Sequence, residues 1–365
     1  MKILLIGALN SNHTKRWANA MAIRGHEVLV AHRPDQMDDI GDLHSNVKTV
    51  ALKYGGKSYS YYLNVPCLKK IYKKFAPDIV NAHYASGYGL LARLANVRPL
   101  VISMWGSDIF DYPYRNKFNH SVIVKNLNYC DAIASTSFAM ADEARKVLGQ
   151  PNKEITVTPF GVNIDKFIPA SESKSNQRPI IGIVKYLEPI YDIPLLIKAF
   201  AIVHKKCEIK PLLHIYGGGR LLEELTNLAN TLGVGDDVVF FGTIPNAQVA
   251  DVLQSFDVFV NCSVKESFGV AIVEAMSCGL PVVATDTAGF KEVVDDGVTG
   301  FILADRQPDT MAEKILELLN DPNLRKVMGA AGRKKVLELY DWEKNISIME
   351  NLYKNLSDKK LCDYQ

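Results

Sequence analysis

"KESFGVAIVEAMSCGLPVV", residues 265–283, places two glutamates, Glu266 and Glu274, around an aromatic, a glycine and an otherwise apolar run. Before it comes "DVFVNCS" (257–263), which reads as a buried strand, and its end merges into "LPVVATD" (280–286), which reads as another. A helix is expected between them. It should begin near Phe268–Gly269 and stop at Gly279, because Gly just past a helix and Pro beyond it, here Pro281, are stop signals. Strand, loop, helix and strand in this order is the building unit of a parallel sheet.

The same alternation fills the chain. Apolar runs recur as "KILLIGA", "EVLVAH", "DIVNAHY", "PLVISMWG", "DAIASTS" and "EITVTPFG" in the first half. In the second they are "IIGIVKY", "LLHIYGGG", "VVFFG", "VFVNC", "LPVVATD" and "GFILA", again with helical patterns between. Near-continuous apolar strands separated by helices predict an α/β protein, two doubly wound Rossmann-like domains facing a central cleft. The seam falls at "PASESKSNQRP" (169–179), polar, serine-rich and bounded by prolines. The expected parts are therefore residues 1–168, a linker, residues 180–338, and a terminal helical stretch, 339–365, that packs back toward the first domain.

Composition fits this plan. Hydrophobic residues make up 48% and charged residues 22% of 365, enough apolar material for a core in each half. No run reaches the ~18–20 apolar residues that span a bilayer. The opening "MKILLIGALN" reads as a first strand, without the small-residue cleavage pattern of a signal peptide. Six scattered cysteines lack metal-ligand spacing and suit a reducing, cytoplasmic setting. The net charge of +2 hides an asymmetry: residues 1–170 carry 21 Lys and Arg against 13 Asp and Glu, residues 171–365 carry 21 against 27. A basic half favours an anionic surface or acceptor.

Glu266 and Glu274 need a reason, since carboxylates are costly to bury. The backbone amides of Ser267, Phe268, Gly269 and Val270 belong to a helix N-terminus, where orphan donors and the dipole favour an anion such as a diphosphate. Gly269 allows close approach to the backbone. A carboxylate repels phosphate but accepts bidentate hydrogen bonds from vicinal hydroxyls, each worth ~1.5–3 kcal/mol when desolvated. Glu274 then suits a ribose diol and Glu266 a sugar on the far side. The implied ligand is a nucleoside–diphosphate–sugar. Read alone, the pair favours a solvated loop acid and a helix-dipole partner; it is the context of strand, loop, F-G, helix and G-x-P that favours the ligand.

The sequence resembles retaining glycosyltransferases of family four, glycosyl transferases group 1, which have the GT-B fold. The resemblance rests on "RGHEVLV", "PDIVNAHY", "WGSDI", "TPFGVNIDKF", "LLIKAF", "IYGGG", "ESFGVAIVEAMSCGLPVVATDTAG" and "DGVTGFIL", in order along almost the whole chain. It implies donor-sugar contacts for Glu266, ribose contacts for Glu274, and diphosphate contacts for the amides of Phe268, Gly269 and Val270. It puts Gly242 among the donor-binding residues. The family's two diphosphate cations come from the loop that is "VKYLEPIYDIPLL" (184–196) here. Lys185 stands at the Arg position, while Tyr191 and Asp192 stand where Lys-Gly is usual. Either Tyr191 donates its hydroxyl instead, or Lys15 or Arg16 fills in. Trp105 stands where many relatives carry His; it either stacks on a sugar or packs in the cleft wall. His83 and Asp108 are the nearest candidates for acceptor contacts or proton handling, with His83 expected at the cleft edge. His13 in the first loop is similar.

The resemblance further implies front-face, substrate-assisted transfer, in which a phosphate oxygen takes the acceptor's proton. With no D-x-D motif, a required metal or other cofactor is not expected. The donor is a nucleotide-sugar, with uracil favoured; the acceptor is a glycan or lipid-linked hydroxyl in cell-envelope polysaccharide or glycolipid assembly; no nucleic-acid partner is expected. Residues 43–77 contain seven lysines and no acid. In "VPCLKKIYKKF", Leu68, Ile71, Tyr72 and Phe75 fall on one helical face and Lys69, Lys70, Lys73 and Lys74 on the other. Two readings stay open: the apolar face packs on the sheet, or the segment rests on the anionic inner face of the cell membrane, with peripheral attachment. Three rivals remain beside transfer. They are a sugar-nucleotide epimerase of the same architecture, a binding subunit without turnover, and a dinucleotide oxidoreductase, which the missing G-x-G-x-x-G argues against.

Overall fold

The computed structural model describes residues 1–37, 41–170 and 177–362, the last three as backbone only. The chain divides into two compact units: Met1–Phe160 with Glu343 onward, and Gly161–Trp342.

In unit 1 the strands are β1 (Lys2–Ile6), β2 (Glu27–His32), β3 (Val47–Ala51), β4 (Ile79–His83), β5 (Leu100–Met104), β6 (Ala132–Ser135) and β7 (Thr156–Val157). They form one sheet in the order β3-β2-β1-β4-β5-β6-β7, and every pairing is parallel. The helices are α1 (Asn12–Ile23), α2 (Ser60–Leu63), α3 (Val65–Phe75), α4 (Gly87–Ala95), α5 (Ser107–Phe110), α6 (Lys117–Tyr129) and α7 (Phe138–Leu148). β4 and β5 are buried along their full length and mainly apolar, with polar Asn81 and Ser103 bonded to each other (3.0 Å). β3 falls outside the expected strands. It is an edge strand, half-exposed and lysine-bearing, so it lacks the continuous apolar signal of its neighbours.

Unit 2 carries β8 (Ile180–Val184), β9 (Leu212–Tyr216), β10 (Val238–Gly242), β11 (Val258–Asn261), β12 (Val282–Thr285) and β13 (Gly300–Leu303), in the order β10-β9-β8-β11-β12-β13 and again all parallel. Its helices are α8 (Ile193–Lys206), α9 (Leu222–Thr231), α10 (Val249–Ser255), α11 (Val270–Ser277), α12 (Ala288–Val293), α13 (Pro308–Asn320) and α14 (Pro322–Leu339). Side-chain caps set several starts in both units: Asn116 accepts from the Asn119 amide, Ser137 from Met140, Thr287 from Phe290 and Asp321 from Leu324.

The division lies at Phe160/Gly161, earlier in the chain than the proline-bounded seam. Residues 161–168 fold with unit 2 because that unit satisfies their backbone. The Val162 amide donates to Tyr340 O (2.8 Å) and the Trp342 amide to Val162 O (3.0 Å). The Arg333 guanidinium donates to Ile164 O (2.9 Å), Phe167 O (2.5 Å) and Ser277 O (2.9 Å). Most of the polar seam itself, residues 171–176, lies outside the described residues. The last helix, α15 (Trp342–Cys362), belongs to unit 1 from Glu343 on. Arg24 bonds Glu343 (3.0 Å) and Glu350 (2.8 Å), His26 meets Glu350 (3.2 Å), and buried Asn81 donates to the Tyr353 hydroxyl (2.5 Å).

Candidate active site

In unit 2 the chain leaves β8 toward β9 and β10 on one side, and leaves β11 toward β12 and β13 on the other. The β8/β11 junction is therefore a topological switch point, where two loops part and leave a crevice at the strand ends. Lys185 immediately follows β8 and Glu266 lies on the loop after β11, and across this junction their side chains meet: Lys185 Nζ is 2.6 Å from Glu266 Oε2. Both side chains are mostly buried, and Nζ also lies 4.6 Å from the centre of the Tyr191 ring. Tyr191 itself packs against the core of unit 2.

Glycines let these loops approach one another. A Cβ on Gly217 would stand 1.9 Å from Lys185 O, and one on Gly289 2.4 Å from the Phe268 amide nitrogen. Gly289 also donates to Glu266 O (3.1 Å), and the Gly242 carbonyl accepts from Gly217 (2.8 Å). Arg306, on the loop after β13, ties the two sides together. Its guanidinium donates to Cys262 O (2.6 Å), Ser263 O (3.2 Å) and the Asp192 carboxylate (2.5 Å). A further strut runs from the Val264 amide to Ile190 O (2.8 Å). Asp192 adopts φ +44, a left-handed conformation that glycine takes at less cost.

α11 begins at Val270 after Gly269, whose φ is +104. The amides of Ile272 and Val273 both turn to Gly269 O (3.0 and 3.1 Å), and the helix's first amides have no intrahelical acceptor. Phe268 contributes backbone only, since its ring is buried edge-on against Tyr340, 5.4 Å away. Ser267 and Val270 flank it, half-buried, and Glu274 is half-buried more than a turn further along. Loop acid, helix mouth and helix acid thus follow one another along a single segment.

Unit 1 has its own switch point, between β1 and β4. His13, in the first turn of α1, stacks on Phe160 at 3.8 Å, and Trp105 stands edge-on to both rings. His83 ends β4 behind Trp105, 4.4 Å between ring centres, with Nδ1 3.3 Å from Thr14 Oγ1. It is 2% exposed, so it is not the edge residue the sequence suggested. Burial, reinforced by His13, pushes its pKa down to about 3; burial and Arg16 bring His13 to about 4. Both imidazoles are neutral at ordinary pH. Asp108 is completely buried and accepts from the amides of Ala85 (2.8 Å), Gly106 (2.8 Å) and Trp105 (3.2 Å). Burial raises its pKa while those amide bonds oppose the rise. The expected acceptor contact is therefore corrected: this carboxylate holds a turn and reaches no surface. Arg16 donates to Phe160 O at 3.2 Å, and Lys15 is buried.

Two family profiles match the chain, "Glycosyl transferases group 1" over residues 165–335 and "Glycosyl transferase 4-like" over residues 2–137. Among curated relatives, N-acetyl-alpha-D-glucosaminyl L-malate synthase of Bacillus anthracis is 28% identical over 76% of this chain and 74% of its own. A GDP-mannose-dependent alpha-(1-6)-phosphatidylinositol monomannoside mannosyltransferase of Mycolicibacterium smegmatis is 29% identical over 70% of this chain and 69% of its own. Among solved structures, sucrose-phosphate synthase of Thermosynechococcus elongatus superposes with a TM-score of 0.82 at 21% identity, covering 98% of this chain and 99% of the other. Anabaena HepE with UDP and glucose superposes at 0.78 and 21% identity, covering 98% and 100%. The chain belongs to the family-four glycosyltransferases, with the GT-B fold.

It is accordingly an enzyme, a hexosyl-type glycosyltransferase. Within each unit the structure collects residues read from the sequence at a switch point: Lys185, Tyr191 and residues 266–274 in one, His13, Arg16, His83 and Trp105 in the other; Gly242 instead ends the edge strand β10, two strands from β8, and reaches the site only through its bond with Gly217. The structure separates Asp108 from that role. Arg306 and Gly289 escaped the sequence reading. Gly289 lies within "DTAG" and had a local signal; Arg306 acts on a residue 114 positions away, and no spacing rule reveals that.

Proposed function

We propose that this enzyme moves a hexosyl group, with retention, from a nucleoside-diphosphate-sugar to a hydroxyl of a glycan or lipid-linked acceptor in cell-envelope polysaccharide or glycolipid synthesis. The observation that carries this reading is the Lys185–Glu266 contact at the unit 2 switch point, directly ahead of the α11 N-terminus and Glu274. Cation and helix amides suit a diphosphate, and the two acids suit hydroxyls on either side of it. A donor entering the site would exchange the Lys185–Glu266 contact for two better-matched ones: Lys185 to a phosphate oxygen, Glu266 to a sugar hydroxyl. UDP-sugars are the favoured donors. Relatives named as GDP-mannose-dependent make guanine the alternative to test.

In the reaction, the acceptor oxygen bonds to the anomeric carbon as the bond from that carbon to the diphosphate oxygen breaks. The electron pair leaves with the diphosphate, on the same face, and a phosphate oxygen takes the acceptor's proton. Lys185 and the α11 amides stabilise the charge that develops on the leaving group. With those donors supplied by the chain, transfer is proposed to proceed without a metal ion. A cytoplasmic location is part of this proposal, argued from the scattered cysteines without metal-ligand spacing; separately, among the described residues no helix is long and apolar enough to cross a membrane.

A thermal-shift panel of UDP- and GDP-sugars tests the reading, since a ligand that binds only the folded state raises the melting temperature. At least one donor should stabilise the protein, turnover should survive EDTA, and the product should keep the donor's anomeric configuration by NMR. Glu266→Gln and Lys185→Ala should each lower kcat/KM about 10–150-fold, the equivalent of one charged contact of ~1.5–3 kcal/mol. A panel without any shift, or an inverted product, would overturn it.

A further inference from the structure

The basic segment of unit 1 is built differently from either simple reading of its sequence. α3 does turn its apolar side inward: Leu68 is fully buried and Ile71, Tyr72 and Phe75 pack on the core. Lys69, Lys70, Lys73 and Lys74 remain exposed. The apolar face of α3 is therefore spent, and it has none left to insert elsewhere.

Other side chains present apolar surface nearby. Tyr59, Tyr62 and Leu63 around α2, Tyr114 in the turn 112–114, Phe118 in the first turn of α6, and Phe138 at the start of α7 are all 45–64% exposed. Each lies on the part of its connection between a strand's carboxyl end and the first turn of the helix that leads back, so the parallel topology gathers them along one rim of the sheet. The elements adjoin: α2 packs on α4, α4 on α6, and the 112–114 turn on α5 and α6. Tyr114 bonds Glu143 of α7. Basic residues interleave with the rings, Lys53 and Lys57 ahead of α2, Arg115 and Lys117 between Tyr114 and Phe118, all exposed. Large exposed aromatics usually cost solubility. Aromatic rings with cations between them match the interface of a lipid bilayer, where amphipathic rings sit at head-group level and Lys and Arg meet anionic phosphates.

We propose that this aromatic and basic rim of unit 1 docks on the head-group layer of an anionic lipid bilayer, with the α3 lysines adding long-range attraction. The rim is the edge that carries the unit 1 switch point, so docking would bring lipid-borne hydroxyls to the same edge. The proposal reaches beyond the transfer reaction and is measured without donor or acceptor.

Sedimentation with phosphatidylcholine vesicles, with and without phosphatidylglycerol, provides the test. The full chain should pellet with the anionic vesicles and stay in solution with the neutral ones. Replacing Lys69, Lys70, Lys73 and Lys74 by Glu should lower the partition coefficient by at least about a hundredfold, from ~1 kcal/mol per cation near the surface. Tyr59→Ser, Tyr62→Ser, Phe118→Ser and Phe138→Ser together should lower it at least about tenfold with the charge intact. All of these variants are in unit 1, and far-UV circular dichroism with a cooperative melt matching the parent's shows that they fold. Binding unchanged by loss of the four rings overturns the proposal. So does a concentration-dependent dimer that the ring variant abolishes while the parent ignores vesicles, which would make a second copy the occupant.

Discussion

At Asp108 the residue type invites one role and the surroundings impose another. A carboxylate after "WGS" looks available for an acceptor hydroxyl, yet its oxygens are taken up by the amides of Ala85, Trp105 and Gly106. Removing it strands buried donors, at about 1–3 kcal/mol for each that water cannot reach. Asp108→Ala should therefore destabilise unit 1 by roughly 2–4 kcal/mol in a urea melt, while Asp108→Asn, which keeps an acceptor oxygen, should lose less. The proposed donor site is in unit 2, so donor affinity should be unchanged in both. Full stability with abolished turnover would return Asp108 to the chemistry. His83 teaches the same point. A histidine at the end of a strand is visible in sequence, but the Trp105 ring that covers it comes from another strand, and burial decides its charge. Lys185 and Glu266 were legible one by one; their contact was not, because 81 residues separate them and only the β8–β11 pairing brings them together.

At the scale of elements, the strands that were legible are those with a mainly apolar or β-branched run, whether central like β4 and β5 or at an edge like β10. β3 was not, because its half-exposed "VKTVA" interrupts the apolar residues with a lysine and a threonine. The segment from β11 through α11 to β12 was legible for a different reason: Gly269 and Gly279, both at positive φ, and Pro281 mark where the helix starts and stops. Gly289 shows how sharp a backbone requirement can be. It stands in α12, yet its missing side chain shapes the loop before α11, where an added Cβ would come within 2.4–2.8 Å of backbone atoms of Ser267 and Phe268. Backbone cannot yield as a flexible side chain does, so Gly289→Ala must displace the 267–268 segment or α12. The expected result is a loss of about 1–3 kcal/mol in stability. Because Glu266 and the α11 amides shift with that segment, the donor's KM should rise several-fold as well. Calorimetric titration with the donor found in the panel checks this. Unaltered donor affinity in a folded Gly289→Ala protein would mean that the loop's position is not what holds the diphosphate.

Over the whole molecule the chain passes from unit 1 to unit 2 at Phe160/Gly161 and returns at Trp342/Glu343, so unit 1 is completed only by the last helix. The helical pattern of that stretch could be read, but its anchoring could not, since Arg24, His26 and Asn81 lie more than 250 residues earlier. Glu350 is the centre of the anchor. Lys354 first, then Arg24 and His26, hold its carboxyl down to about 2, against the usual 4.5. A carboxylate with a lowered folded pKa gives its full stabilisation above the unfolded value and loses it as pH falls toward the folded one. His26 acts in the same direction: burial lowers its pKa, so acid protonates the unfolded chain first. The contribution of Glu350, discounted for solvent screening, is on the order of 1–2 kcal/mol. Urea melts of the parent and of Glu350→Gln should differ by that amount at pH 6 and converge as the pH is lowered from about 4.5 toward 2, with helical circular dichroism reporting α15 among the first losses. The direction of convergence carries the test, because a packing defect in Glu350→Gln would separate the two proteins equally at every pH. Melts that stay equally far apart at pH 3 and pH 6 would show that α15 is held by Tyr353 and its apolar neighbours, and that the charge cluster around Glu350 contributes nothing to closing unit 1.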